Sequence, residues 1–115
     1  MVIATNPLFP LKAIRERIKW AGLNSEDFKY ITSYENMHYA KPNKHYYLEI
    51  LDKISSNSDE CIMVGNDIQE DIIAKKVGIK SLLVNNYKID RAKGEITPDW
   101  EGSLTELINY FKKEL

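Results

Sequence analysis

Short apolar runs alternate with amphipathic stretches along these 115 residues. Val2 to Thr5 is a brief β-type run. Asn6-Pro7 should end it, because proline lacks the N–H a ladder needs and biases its predecessor away from helix. Leu11, Ile14, Ile18 and Ala21 follow at the spacing of an amphipathic helix, with Gly22 placed to cap its end. Tyr30 to Ser33 offers a second brief strand. From Pro42 the pattern turns helical again, with Tyr46 or Tyr47, Ile50, Leu51 and Ile54 on one side and proline tolerated in the first turn. Ser55-Ser56-Asn57-Ser58 reads as the loop after it.

Glu60 to Val64 is the clearest strand, apolar without alternation, the pattern of a strand covered on both faces. Ile68, Ile72, Ile73 and Val77 then predict a helix that ends at Gly78. Ser81 to Val84 gives another strand, closed by the polar turn Asn85-Asn86. Tyr87 to Gly102 reads mostly as loop, with a very short edge strand at Asp99-Trp100. Ser103-Leu104-Thr105-Glu106 matches a capping box, and Leu104, Leu107, Ile108 and Phe111 form the apolar face of a last helix. Strands alternating with helices imply parallel βαβ units and an α/β layered fold, here one domain over residues 1–115.

Sixteen basic against seventeen acidic residues give a formal charge of −1, which offers no broad attraction to nucleic acid or to an anionic membrane. No apolar run approaches the roughly 20 residues that span a bilayer, and no charged leader precedes an apolar stretch. The single cysteine, Cys61, sits in an apolar run and has no partner for an intrachain disulfide. A soluble protein of the reducing cytoplasm is the expectation.

The polar residues at the ends of these elements carry the chemistry. In open parallel sheets ligands bind beyond the carboxyl ends of the strands. Thr5, Lys41 and Asp67 all fall on that side, so one site is expected. Asp67 and Asp71 are hard oxygen donors one helical turn apart, suited to a magnesium ion that takes one or two protein carboxylates and keeps positions for water and phosphate. Two acids in a first helical turn also favour its positive end without any metal. Thr5 and Asn6 can hydrogen-bond phosphoryl oxygens, although Thr-Asn-Pro is also an ordinary turn. Lys41 is a compact positive charge that would offset crowded negative charge. His38, His45, Tyr34, Tyr39, Tyr46, Tyr47 and Trp100 read as surface or packing residues.

In this order, Thr5-Asn6 after a strand, Lys41-Pro42 opening a helix, and Val64-Gly65-Asn66-Asp67 with Asp71 resemble motifs two, three and four of the haloacid dehalogenase (HAD) superfamily. The resemblance implies a three-layer, Rossmann-like parallel sheet with flanking helices. It also implies Mg2+ on Asp67, with Asp71 as a metal or water ligand or as the residue that holds the lysine. Thr5 and Lys41 become catalytic residues, and Thr5, Asn6 and Lys41 bind phosphate. The family's first motif, Asp-x-Asp, occurs nowhere in the sequence, and the substrate-selecting cap has no counterpart. The expected function is that of the carboxyl-terminal part of a Mg2+-dependent phosphatase. Its substrate would be a small phosphorylated metabolite, attacked by an aspartate that is not in this chain. The alternative is a catalytically inactive module that binds a partner or a phosphorylated ligand. Without the family's central first strand, Val2-Ile3-Ala4 and Ile62-Met63-Val64 would be apolar edges. They would close on each other, accept a strand from an amino-terminal fragment, or pair in a homodimer.

Overall fold

Ile14 and Ile18 stand one turn apart on a helix, and burying them takes a partner surface, which two short strands supply. The computed structural model describes residues 1–91 and 96–114. The part of the expected 87–102 loop at residues 92–95, and Leu115, lie outside the described residues. The chain divides into two units, Met1–Ser56 and Asn57–Leu115.

In the first unit, β1 (Val2–Ile3) pairs in parallel with β2 (Tyr30–Ile31), Val2 opposite Tyr30 and Ile3 opposite Ile31. A parallel pair needs a crossover, and α1 (Leu11–Trp20) lies within it. Ile14 and Ile18 pack with Ile31, and Ile3, Leu11 and Phe28 complete that cluster. Gly22 ends the helix at φ 82°, and the Leu23 amide reaches back to the Ile18 carbonyl at 3.1 Å. Both strands are shorter than the apolar runs at Val2–Thr5 and Tyr30–Ser33 suggest. Beyond Ile3, the Thr5 amide bonds a side chain, Thr32 Oγ1, in place of a ladder carbonyl. α2 (Lys44–Ile54) starts two residues after Pro42, because the Asn43 side chain caps it by accepting the His45 amide at 2.9 Å. Tyr46, Tyr47, Ile50, Leu51 and Ile54 are its buried face.

In the second unit, β3 (Ile62–Gly65), β4 (Lys80–Val84) and β5 (Trp100–Gly102) form a parallel sheet in the order β3-β4-β5. Met63 faces Ser81, and Leu83 faces Glu101. Two expectations fail here. The strand covered on both faces is β4, whose Ser81, Leu82 and Leu83 are fully buried; Ile62 and Val64 of β3 keep about 40% of their surface (41% and 40%). The reason is position: β3 is the sheet's edge and β4 its centre. The helix expected from Ile68 onward is a 3-10 helix over Ile72–Val77 only, closed by Gly78 at φ 88°. The Ala74 amide bonds the Asp71 carbonyl three residues back at 3.2 Å, the tighter 3-10 pattern. Ile68 and Ile72 still reach the core, packing with Leu83 and Ile96. α3 (Leu104–Glu114) follows β5. Among the described residues no helix is long and apolar enough to cross a membrane.

The predicted capping box is present: the Glu106 amide donates to Ser103 Oγ at 3.1 Å, and the Ser103 amide donates to Glu106 Oε1 at 2.9 Å. The Ser103 backbone bond, then its side-chain bond, holds the Glu106 carboxyl below its ordinary 4.5. A depressed folded-state pKa stabilises the fold above the unfolded value, and the benefit is lost as pH falls through the folded value. The helicity of α3 should therefore decline on acidification below about pH 4.5, the carboxylate's unfolded value. In Glu106→Gln that component of the acid transition should disappear, as read by circular dichroism melts across pH.

Candidate functional site

At the carboxyl end of β3 the chain turns sharply through Gly65-Asn66-Asp67, and the Asp71 side chain folds back over that turn. Its Oδ2 accepts the amides of Asn66 and Asp67, each at 3.2 Å. Only glycine permits this approach, since a Cβ at Gly65 would lie 2.3 Å from Asp71 Oδ2. Asp67 accepts the Glu70 amide on Oδ1 at 3.0 Å, and its main-chain carbonyl accepts the Asp71 amide at 2.8 Å. Asp67 and Asp71 are 5% and 7% exposed. The structure thus places the two predicted acids together, nearly buried, at a strand's carboxyl end.

A second segment is sewn to this turn. The Ile89 amide donates to the Asn66 carbonyl at 2.8 Å and the Ile68 amide to the Ile89 carbonyl at 2.9 Å, so that Asp67 and Ile89 form a parallel bridge. Arg91, just beyond, donates through Nη1 to Asp67 Oδ2 at 2.8 Å and Oδ1 at 3.1 Å. Its Nη2 lies 3.7 Å from Glu70. Sequence reading missed Arg91: it lies 24 residues from Asp67 in an unpatterned stretch, where no local spacing could reveal it.

Thr5, Asn6 and Lys41 are gathered in the first unit. Asn6 Oδ1 accepts the Lys41 amide at 2.7 Å, joining the end of β1 to the start of α2. The Lys41 ammonium lies 5.8 Å from the centroid of the Tyr46 ring. Tyr46 is fully buried, and its hydroxyl donates to the Thr5 carbonyl at 2.5 Å. Thr32, also fully buried, accepts the Thr5 amide and donates to the Thr5 carbonyl, both at 2.8 Å. The Thr5 and Thr32 hydroxyls are 3.3 Å apart. Tyr46 and Thr32 therefore fix the Thr5 backbone. The signal for Tyr46 was in its pattern, because a phenol on a helix's apolar stripe must find a hydrogen-bond partner.

Magnesium accepts one or two carboxylates and retains water, so Asp67 and Asp71 fit it in kind and number. Among the described residues no group of three or more metal-binding side chains gathers. The donor set is this pair, with one member in an ion pair to Arg91.

Two mutations probe the framework. Gly65→Ala should displace Asp71 and destabilise the fold by about 1–3 kcal/mol in denaturant titrations. Tyr46→Phe should lose about 0.5–1.5 kcal/mol, toward the low end because Thr32 still satisfies the Thr5 carbonyl.

Comparison with known proteins places the fold and the family. A HAD phosphatase from Thermococcus onnurineus superposes with a TM-score of 0.73 and 26% identity, over 96% of this chain and 49% of that one. A Bacillus subtilis protein assigned as the HAD-hydrolase YfnB, solved with bound magnesium, gives 0.77 and 25% over 95% and 47%. A 2-haloacid dehalogenase from Pseudomonas syringae gives 0.64 and 22% over 85% and 43%, a likeness of fold alone. The chain thus spans about half the length of the first two (49% and 47%). No curated protein matches it. The shared fold is the Rossmann-type α/β arrangement of parallel strands with flanking helices. The HAD-hydrolase-like family model matches residues 38–105, a span that holds Lys41, Asp67 and Asp71 but not Thr5 or Asn6. With more than half of its residues matched, the chain belongs to the HAD-hydrolase-like family.

Proposed function

We propose that this chain supplies the phosphate-binding and metal-binding part of a Mg2+-dependent, cytoplasmic phosphatase that acts on a small phosphorylated metabolite. The nucleophilic aspartate would come from polypeptide outside these residues. The observation that supports this most is the turn after β3. It keeps Asp67 and Asp71 nearly buried beside each other at a strand's carboxyl end, two carboxylates of the kind and number that magnesium takes. The phosphatase and magnesium-bound relatives agree with it.

In this reading Asp67 and Asp71 hold Mg2+, which when bound neutralises charge on the phosphoryl group. Asp71 also keeps the Asn66 and Asp67 amides in place. The Thr5 hydroxyl and Asn6 hydrogen-bond phosphoryl oxygens. Asn6 positions Lys41 through the Lys41 amide. The Lys41 ammonium offsets the negative charge that remains, a preorganised electrostatic contribution. An aspartate attacks phosphorus, expelling the alcohol, and water then cleaves the phosphoaspartate.

That aspartate enters on a strand. β3 is a sheet edge with Ile62 and Val64 partly exposed, and an apolar edge is a template for pairing. The partner that supplies it is an amino-terminal fragment carrying Asp-x-Asp; a second copy pairing at the same edge would bring no such motif.

The test is hydrolysis of an aryl phosphate with Mg2+ by the chain alone, and by the chain with an added polypeptide that carries a strand ending in Asp-x-Asp. The chain alone should show no turnover, and the complemented protein should hydrolyse the ester. Lys41→Ala should then lower kcat on the order of 10²-fold. Turnover by the chain alone that vanishes in Asp67→Ala would contradict the outside nucleophile. No turnover in any combination would favour a non-catalytic binding module, the reading suggested by the absence of Asp-x-Asp from the sequence.

A further inference from the structure

The Arg91–Asp67 pair is asymmetric. The Asp67 side chain is 7% exposed, so its charge must always have a partner, whereas the Arg91 side chain is 57% exposed and can swing into water at little loss. Both carboxylate oxygens of Asp67 face one guanidinium nitrogen, at 2.8 and 3.1 Å. The cation is delivered by its backbone. The Arg91 amide donates to Gln69 Oε1 at 2.8 Å, Gln69 Nε2 donates to Asp90 at 2.9 Å, and the Asn66 side-chain amide donates to the Tyr87 carbonyl at 2.9 Å. With the Asp67–Ile89 bridge, these bonds tie residues 87–91 to the turn that carries Asp67.

We propose that Arg91 is an exchangeable counter-cation of Asp67: its guanidinium holds the carboxylate until a divalent cation displaces it, so arginine docking and metal binding exclude each other at this acid. This rests on the reading that Asp67 takes a divalent cation. A guanidinium nitrogen astride both oxygens occupies the position from which a metal would chelate that carboxylate, and two cations at one buried acid repel. The backbone anchor keeps the arginine close after displacement, so the exchange is reversible, and Glu70, 3.7 Å from Nη2, offers it a resting partner.

The test is Mn2+ binding by the full chain, measured by titration calorimetry in wild type, Arg91→Gln, Arg91→Lys and Asp67→Asn. Arg91→Gln should bind Mn2+ on the order of tenfold more tightly than wild type, with Arg91→Lys between them and Asp67→Asn binding none. Equal or weaker binding in Arg91→Gln, with wild-type binding intact, overturns the exchange but leaves the metal reading standing. Absence of binding in every folded variant overturns the metal reading and the exchange with it. If Arg91→Gln does not fold, the Arg91 Nε–H resonance of the wild type decides. It should shift as Mg2+ moves the Asn66 and Asp67 amide signals. A stationary Arg91 signal beside moving amides overturns the exchange.

Discussion

Two aspartates held almost out of water at the end of one strand are the constraint around which the second unit is built. A buried carboxylate without partners is among the most unfavourable groups a fold can contain. Each neighbouring feature answers it. Gly65 removes the side chain that would collide with Asp71, the Asn66 and Asp67 amides turn toward its Oδ2, the Glu70 amide turns toward Asp67, and Arg91 arrives from the segment between β4 and β5. The turn that follows is a short 3-10 helix that delivers Ile72 to the core and then stops at Gly78.

The first unit solves a milder form of the same problem. A chain leaving a parallel strand exposes an unpaired amide and carbonyl. At Thr5 both are captured by the buried Thr32 hydroxyl, and the carbonyl also by the Tyr46 phenol. Residues that look like packing in the sequence therefore set the orientation of the residue that looks functional. Asn6 does the same for Lys41 by accepting its amide, which ties a loop 35 residues away to the end of β1.

The edge position of β3 links fold to function in a different way. An apolar strand with four residues and one ladder neighbour keeps two aliphatic side chains, Ile62 and Val64, partly in solvent. The same strand leads directly into the Asp67 turn. Whatever pairs with that edge comes to lie beside the two carboxylates, which is why strand pairing and chemistry are joined in the proposed function.

The order of elements, the parallel pairing and the closeness of Asp67 to Asp71 were legible in the sequence, because hydrophobic period and punctuation by glycine and proline act locally. The stripes of α1 and α2, the Ser103–Glu106 box and the acids after Val64-Gly65 are all set within a few residues of themselves. Three things were decided only in three dimensions. Which strand is central depends on who its neighbours are, so the most apolar run, at Ile62–Val64, became the edge and Leu82–Leu83 the buried centre. The stretch from Ile68 to Val77 became a 3-10 helix over Ile72–Val77 only, where Ile68 and Ile72 pack with Leu83 and Ile96. The partner of Asp67 depended on a bridge between Asp67 and Ile89, since a contact across 24 residues leaves no trace in local spacing and exists only once the sheet has brought the two segments together.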